Sequence, residues 1–154
     1  MKIYSEQEIA AVASEIIERA RRAHRSLGED GASEAVHAIL ITLSGDLGAG
    51  KTTLTKEIAR QLGIVENMQS PTYVIYKEYS LTSSELPWQY LIHGDMYRLE
   101  SSSDLEKLGW QDLLRDPKNL IIIEWPELVA GAIPDWVIKV SLTHQGDLLR
   151  GIDF

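Results

Sequence analysis

The residues from Gly45 to Thr52 read Gly-Asp-Leu-Gly-Ala-Gly-Lys-Thr. They fit G-x-x-x-x-G-K-[ST], a loop that cradles phosphates with its backbone N–H groups. Glycine at 45, 48 and 50 permits backbone conformations that a Cβ would obstruct, so those N–H groups can turn toward a di- or triphosphate. The loop, with Gly48, Ala49 and Gly50, is therefore expected to bind nucleotide, and Lys51 supplies a point charge to the β/γ oxygens. Lys51 is expected at an exposed loop–helix junction. The hydroxyl of Thr52 is suited to Mg²⁺. Such a loop works with an acid on a neighbouring strand that holds the metal's water shell. Leu120–Ile123 followed by Glu124 has that shape, with Glu in the usual place of Asp. The competing reading of Glu124 is an acid that merely ends a strand. Asp95, in His93-Gly-Asp-Met-Tyr-Arg98, is a second candidate, to orient a water or act as base, against a plain salt bridge. Thr72, in Ser70-Pro-Thr72, is either a γ-phosphate-sensing switch residue or part of a simple turn. Trp125 lies either beside the phosphates or packed under them. The four histidines show no metal-ligand spacing, and His93 reads as structural.

These groups need elements to hold them. Ala38–Ser44 is a near-continuous apolar run, as a buried central strand requires. Lys51–Leu62 reads as a helix stopped by Gly63, with Leu54, Ile58, Ala59 and Leu62 on one face. Its N-terminus points at the phosphates. Ligands collect at the carboxyl ends of strands in such sheets, where Glu124 would lie. Upstream, Ser5 with Glu8 forms a capping-box pattern, and apolar residues from Ile9 to Ala20 give an amphipathic helix over 6–24. Arg19, Arg21, Arg22 and Arg25 suit its C-terminal end as a solvated surface. Residues 25–36 read as a loop. Tyr73–Tyr79 and Tyr90–Leu99 read as strands, with short helices near Ser101 and Trp110. Residues 137–143 and 148–154 form a hairpin pattern around Gln145-Gly-Asp147. The expected fold is one α/β domain over 1–154, a P-loop NTPase-like three-layer sandwich. Its sheet is mixed and mostly parallel, flanked by helices.

The 154 residues suffice for one domain with a real core, at 44% hydrophobic and 25% charged content. With no cysteine, thiol catalysis, disulfides and thiolate metal sites are excluded. No apolar run is long enough to span a membrane and no signal peptide is visible, so the default compartment is cytoplasmic. A net charge of −8 makes the chain poorly suited to gripping a nucleic-acid backbone alone. Action on RNA would need a basic partner. A GTPase would carry an Asn-Lys-x-Asp guanine reader, which this sequence lacks. A P-loop small-molecule kinase would want clamping arginines, yet Arg98 stands alone between Arg60 and Arg115. As an internal arginine finger, Arg98 would sit three residues beyond Asp95 on an extended strand and face the opposite way. The kinase remains the alternative reading, beside a non-hydrolysing nucleotide-binding module.

Four stretches together resemble the bacterial TsaE (YjeE) family of tRNA threonylcarbamoyladenosine biosynthesis. They are Ser44–Thr53, Ser70-Pro-Thr-Tyr73 with Glu78-Tyr79, His93–Leu99, and Ile123-Glu-Trp-Pro-Glu127. The P-loop alone is generic; the ordered combination, over nearly the whole chain, is specific. The resemblance implies ATP hydrolysis with Mg²⁺, in complex with TsaD and TsaB. That complex moves threonylcarbamoyl from its adenylate onto the adenosine next to the anticodon of ANN-reading tRNAs. The ATPase does not transfer the group but supports turnover, and it meets tRNA only through the complex. By position, the resemblance puts Lys51, Thr52 and Thr53 on phosphate, and Thr52 and Glu124 on Mg²⁺. It places Asp95 and Trp125 at positions tied to activity, and Glu6 where the family closes over the nucleotide. The sequence departs from the family at Asp147, which follows Gly146 where an arginine is usual; the nearest is Arg150. Gly94 replaces a usual aromatic, and the 25–36 segment is longer.

Overall fold

The computed structural model describes residues 1–29, 37–65, 68–69, 71, 73–146 and 149–154, with backbone alone at 6, 28 and 29. Among the described residues seven strands form one sheet: β1 (Lys2–Ser5), β2 (Ile39–Ser44), β3 (Tyr76–Ser80), β4 (Tyr90–Asp95), β5 (Asn119–Glu124), β6 (Ile138–His144) and β7 (Leu149–Asp153). Their order is β1-β7-β6-β2-β5-β4-β3. Parallel pairing is confined to the central run β6-β2-β5-β4. β3 pairs antiparallel with β4 at one edge, and β7 with β6 and β1 at the other. The sheet is mixed, as the sequence predicts, and its carboxyl-end crevice lies at the parallel centre.

Helices cover both faces. On one, α1 (Ile9–Glu29) and α2 (Lys51–Gln61) bring Ile16, Ala20, Leu54 and Ile58 onto Ile39, Ile41, Leu120 and Ile122. On the other, α3 (Ser102–Glu106), α4 (Trp110–Arg115) and a kinked 3₁₀ segment (Pro126–Ala132) bring Leu105, Trp110 and Val129 onto Leu40, Ile92, Ile121 and Ile123. The alternation of Ile39, Ile41 and Leu43 against Leu40 is the period of two of a strand buried on both sides. Each such fully buried side chain contributes about 1.5–3 kcal/mol. Trp110 satisfies its indole N–H on the Ala132 carbonyl at 2.8 Å, which ties α4 to the 3₁₀ segment.

Four boundaries differ from the sequence reading. Residues 2–5 form an edge strand, paired with β7. Glu8 caps the turn as expected, accepting from Ser5 N–H at 2.9 Å and Ser5 Oγ at 2.8 Å, but α1 runs on to Glu29. β3 starts only at Tyr76, because Ile75 takes a left-handed backbone (φ 66°). That is a strained conformation for a β-branched residue. It aims the Ile75 carbonyl at the Asp95 N–H, 2.7 Å away. β4 stops at Asp95, and a turn closed by Leu99 N–H on the Met96 carbonyl follows, so Arg98 is not on an extended strand. Among the described residues no helix is long and apolar enough to cross a membrane.

Candidate functional site

The loop after β2 must turn sharply to start α2 beneath it. At Gly45 (φ 137°) an added Cβ would run into the Leu142 carbonyl of β6, so the first glycine of the motif is required by close approach. Gly50, left-handed at φ 99°, sits at the N-cap of α2 and delivers Lys51 and Thr52 into its first turn. Lys51 is only 5% exposed, which corrects the expected exposed junction. Its Nζ donates to the carbonyls of Gly45 and Asp46, the latter at 3.0 Å, and lies 3.7 Å from the centroid of the Trp125 ring. Burial pushes its ammonium below the usual lysine range; the carboxylates of Glu124, Glu127, Asp95 and Asp46 oppose that shift.

Opposite the loop stand two acids in register, Asp95 at the end of β4 beside Glu124 at the end of β5. They are 5% and 2% exposed. Burying a carboxylate is costly unless donors compensate it. Glu124 accepts from Thr52 Oγ1 at Oε2 and contacts His93 Nε2 at Oε1, both at 2.8 Å. Asp95 Oδ1 accepts the Tyr97 N–H at 3.0 Å. Trp125 follows Glu124 in a left-handed conformation (φ 61°), its N–H donating to the Leu43 carbonyl at 3.2 Å. That turn folds the indole back over Lys51 and against Tyr97, with ring centroids 5.2 Å apart.

A cleft of about 420 Å³ results. Gly48, Gly50, Lys51, Thr52 and Thr53 line one side, and Asp95, Glu124 and Trp125 the other. Trp125 lines the cleft half-buried, with its ring over Lys51 Nζ. Ala49 is not brought to the cleft: its side chain joins the core and its N–H donates to the Asp46 carbonyl at 3.1 Å. Glu6 opens a 3₁₀ turn, but its side chain lies outside the described residues, as does Thr72. Asp147 lies outside them too, while Arg150 donates to the carbonyls of Gly146 and Leu149. Arg98 stacks its guanidinium on Tyr73, 4.3 Å from the ring centroid, and does not line the cleft. Tyr97 and Leu47 do line it, and sequence reasoning passed over both. Tyr97 had a signal, two residues past a candidate acid; Leu47, 85% exposed at the loop tip, had none.

Chemically the cleft offers the Lys51 ammonium to an anion, and hard oxygen groups on Thr52, Thr53, Asp95 and Glu124, of which Thr52 Oγ1 and Glu124 are already in contact. Among the described residues there is no group of three His, Asp or Glu that would cage a metal alone. One or two oxygen ligands fit Mg²⁺, which keeps several waters and takes its remaining ligands from substrate phosphates.

Comparison with known proteins bears on the family of the chain. A family model described as "Threonylcarbamoyl adenosine biosynthesis protein TsaE" matches residues 3–152. The tRNA threonylcarbamoyladenosine biosynthesis protein TsaE of Bacillus subtilis (strain 168) is 39% identical over 115 residues, 75% of this chain and 68% of that protein. The protein of the same name from Haemophilus influenzae is 36% identical over 110 residues, 71% of this chain and 66% of the relative. The matches thus span about two thirds of these relatives' length. The crystal structure of Bacillus subtilis YdiB superposes with a TM-score of 0.63 at 27% identity, covering 98% of this chain and 82% of that one. With a family model matched almost end to end, the chain belongs to the TsaE family.

Proposed function

We propose that this chain binds and hydrolyses ATP, with Mg²⁺, as a subunit of tRNA threonylcarbamoyladenosine biosynthesis. It acts as one domain over 1–154, in the cytoplasm, and supports turnover of TsaD and TsaB without touching tRNA itself. The observation that carries this is the Lys51–Thr52–Glu124 constellation, where loop cation, helix hydroxyl and strand-end acid converge on one cleft. In this reading Gly48 and Gly50 offer backbone N–H groups to the phosphates, with Ala49 holding the turn between them. Lys51 leaves its loop carbonyls for the β/γ oxygens, and Thr52 and Thr53 reach phosphate and metal from the first turn of α2. Thr52 and Glu124 hold Mg²⁺, which when bound neutralises charge on the β- and γ-phosphates. Asp95 orients the attacking water: the water oxygen bonds to the γ-phosphorus as the bond to the ADP oxygen breaks, the water protons end on the products, and ADP and inorganic phosphate leave. Trp125 covers the loop, Glu6 stands where the family closes over the nucleotide, and Thr72 serves as the γ-phosphate-sensing switch residue. An arginine finger adds about 10³–10⁵ in rate, and Arg98 is engaged with Tyr73 outside the cleft. Hydrolysis by the isolated chain is accordingly slow, and TsaD with TsaB accelerates it.

Lys51→Ala tests the reading. It removes a charge-assisted contact worth about 1.5–3 kcal/mol, so ATP affinity measured by calorimetry should fall ~10- to 150-fold. Wild-type affinity in the variant would end the P-loop reading. Mixing the wild-type chain with TsaD and TsaB at fixed salt should raise turnover and yield only ADP and phosphate. A phosphorylated small acceptor in stoichiometric yield would instead establish the kinase.

A further inference from the structure

We infer that His93 is a positioning residue that pins one oxygen of Glu124, so that the other faces Thr52 and the cation the two would hold. This rests on the nucleotide reading above and adds a residue to its machinery. His93 occupies the middle of β4, beside Ile122 of β5, and is fully buried. Leu91 two residues back on the same face belongs to the apolar core under α1 and α2. An aliphatic side chain would fill that place at no polar cost, whereas a buried imidazole needs a partner. The partner is Glu124 Oε1, 2.8 Å from Nε2. Among the described residues Nδ1 is buried with no hydrogen-bond partner. A proton there would be stranded, so the ring proton sits on Nε2 and is donated to the carboxylate.

The need for this brace follows from the length of the acid. Strand-end acids beside such loops are usually Asp; Glu124 carries one more methylene and one more rotatable bond, with a broad terminal torsion. A carboxylate free to swing would present its oxygens to Thr52 and a metal only part of the time. With Oε1 fixed by β4, Oε2 is left to Thr52 Oγ1 on α2, and one carboxylate joins three elements. Partners of this kind typically change metal affinity about 10- to 100-fold when removed.

The test compares His93→Asn with His93→Gln in the full chain. The glutamine amide reaches the position of Nε2; the asparagine amide stops short of Glu124. ADP binding is followed by calorimetry in EDTA and across a Mg²⁺ titration, with thermal unfolding alongside. His93→Asn should raise the half-saturating Mg²⁺ about 10- to 100-fold, and His93→Gln should stay within about threefold of wild type. ADP binding in EDTA should be unchanged in both, because the phosphate loop is untouched. Unaltered Mg²⁺ dependence in His93→Asn would overturn the inference. So would an equal loss in both variants that extends to EDTA, which is the signature of packing alone. If neither variant folds, ¹⁵N-imidazole spectra of the wild-type chain decide: a ring protonated at Nε2 and perturbed by Glu124→Gln is expected, and one protonated at Nδ1 overturns it. A wild-type chain that binds no ADP in either buffer would sink the nucleotide reading and this inference together.

Discussion

At the carboxyl ends of β4 and β5 the interior holds a lysine, two carboxylates and an imidazole, none more than 5% exposed. Further back along the same two strands it holds Leu91, Ile92, Leu120, Ile121 and Ile122, equally buried and wholly apolar. The same sheet thus contains two interiors. The apolar one is stabilised by every group it removes from water. The polar one costs stability for each charge it buries and recovers it only through specific partners: Thr52 and His93 for Glu124, loop carbonyls for Lys51. The apolar and the polar interior therefore follow one another along one strand, within a few residues.

The sharpest way to break that separation is to cut the apolar interior beside the site. Ile122→Ala should cost about 2–5 kcal/mol, read from urea unfolding, while nucleotide affinity per folded molecule stays at wild type. A comparable loss of affinity would mean that the two interiors are one. Next in size, Glu124→Gln keeps the volume and removes the charge. Turnover should fall about 10²–10³-fold, a barrier increase of roughly 2.7–4 kcal/mol, while the thermal midpoint holds or rises. A destabilised protein with intact turnover would reverse the assignment of this acid to chemistry.

The smallest effect belongs to an acid outside both interiors. Glu57, near the far end of α2, accepts from Arg60 and Gln61, and Gln61 also donates to the Ala10 carbonyl of α1. Those hydrogen bonds, with Arg60 first, hold its carboxyl down to about 2 from the usual 4.5. Its folded pKa lies below the unfolded one, so its contribution is complete above about pH 4.5 and is lost as pH falls toward about 2. Glu57→Gln should cost about 1 kcal/mol at pH 7, and the gap to wild type should narrow steadily in urea melts taken from pH 5 to 3. A gap independent of pH would assign the loss to packing.

What was legible beforehand was local. The run Ala38–Ser44, the glycine spacing of the loop, the α2 face and the acid after Leu120–Ile123 each declare themselves within a dozen residues. What was not legible depends on register or on distant partners. Lys51 is buried because Trp125, from another strand end, turns back across it through a left-handed residue. His93 meets Glu124 only once β4 and β5 are aligned. Met96–Leu99 continues a strand pattern in the sequence but turns, because Met96 donates its N–H to the Glu124 carbonyl and Leu99 closes on Met96. β1, at four residues, is too short to show a period, and its partner lies almost the whole chain away.

That last pairing has a consequence for how the chain is made. Lys2–Ser5 is synthesised long before Leu149–Asp153, yet the two form one ladder at the edge of the sheet. Until β7 exists, Tyr4, which ends 5% exposed, has no strand to lie beside, and α1 hangs from an unanchored lead. That ladder forms late, because contacts this distant in sequence close slowly. While that ladder is open the sheet has an unpaired margin, and an unpaired margin invites pairing with the wrong chain.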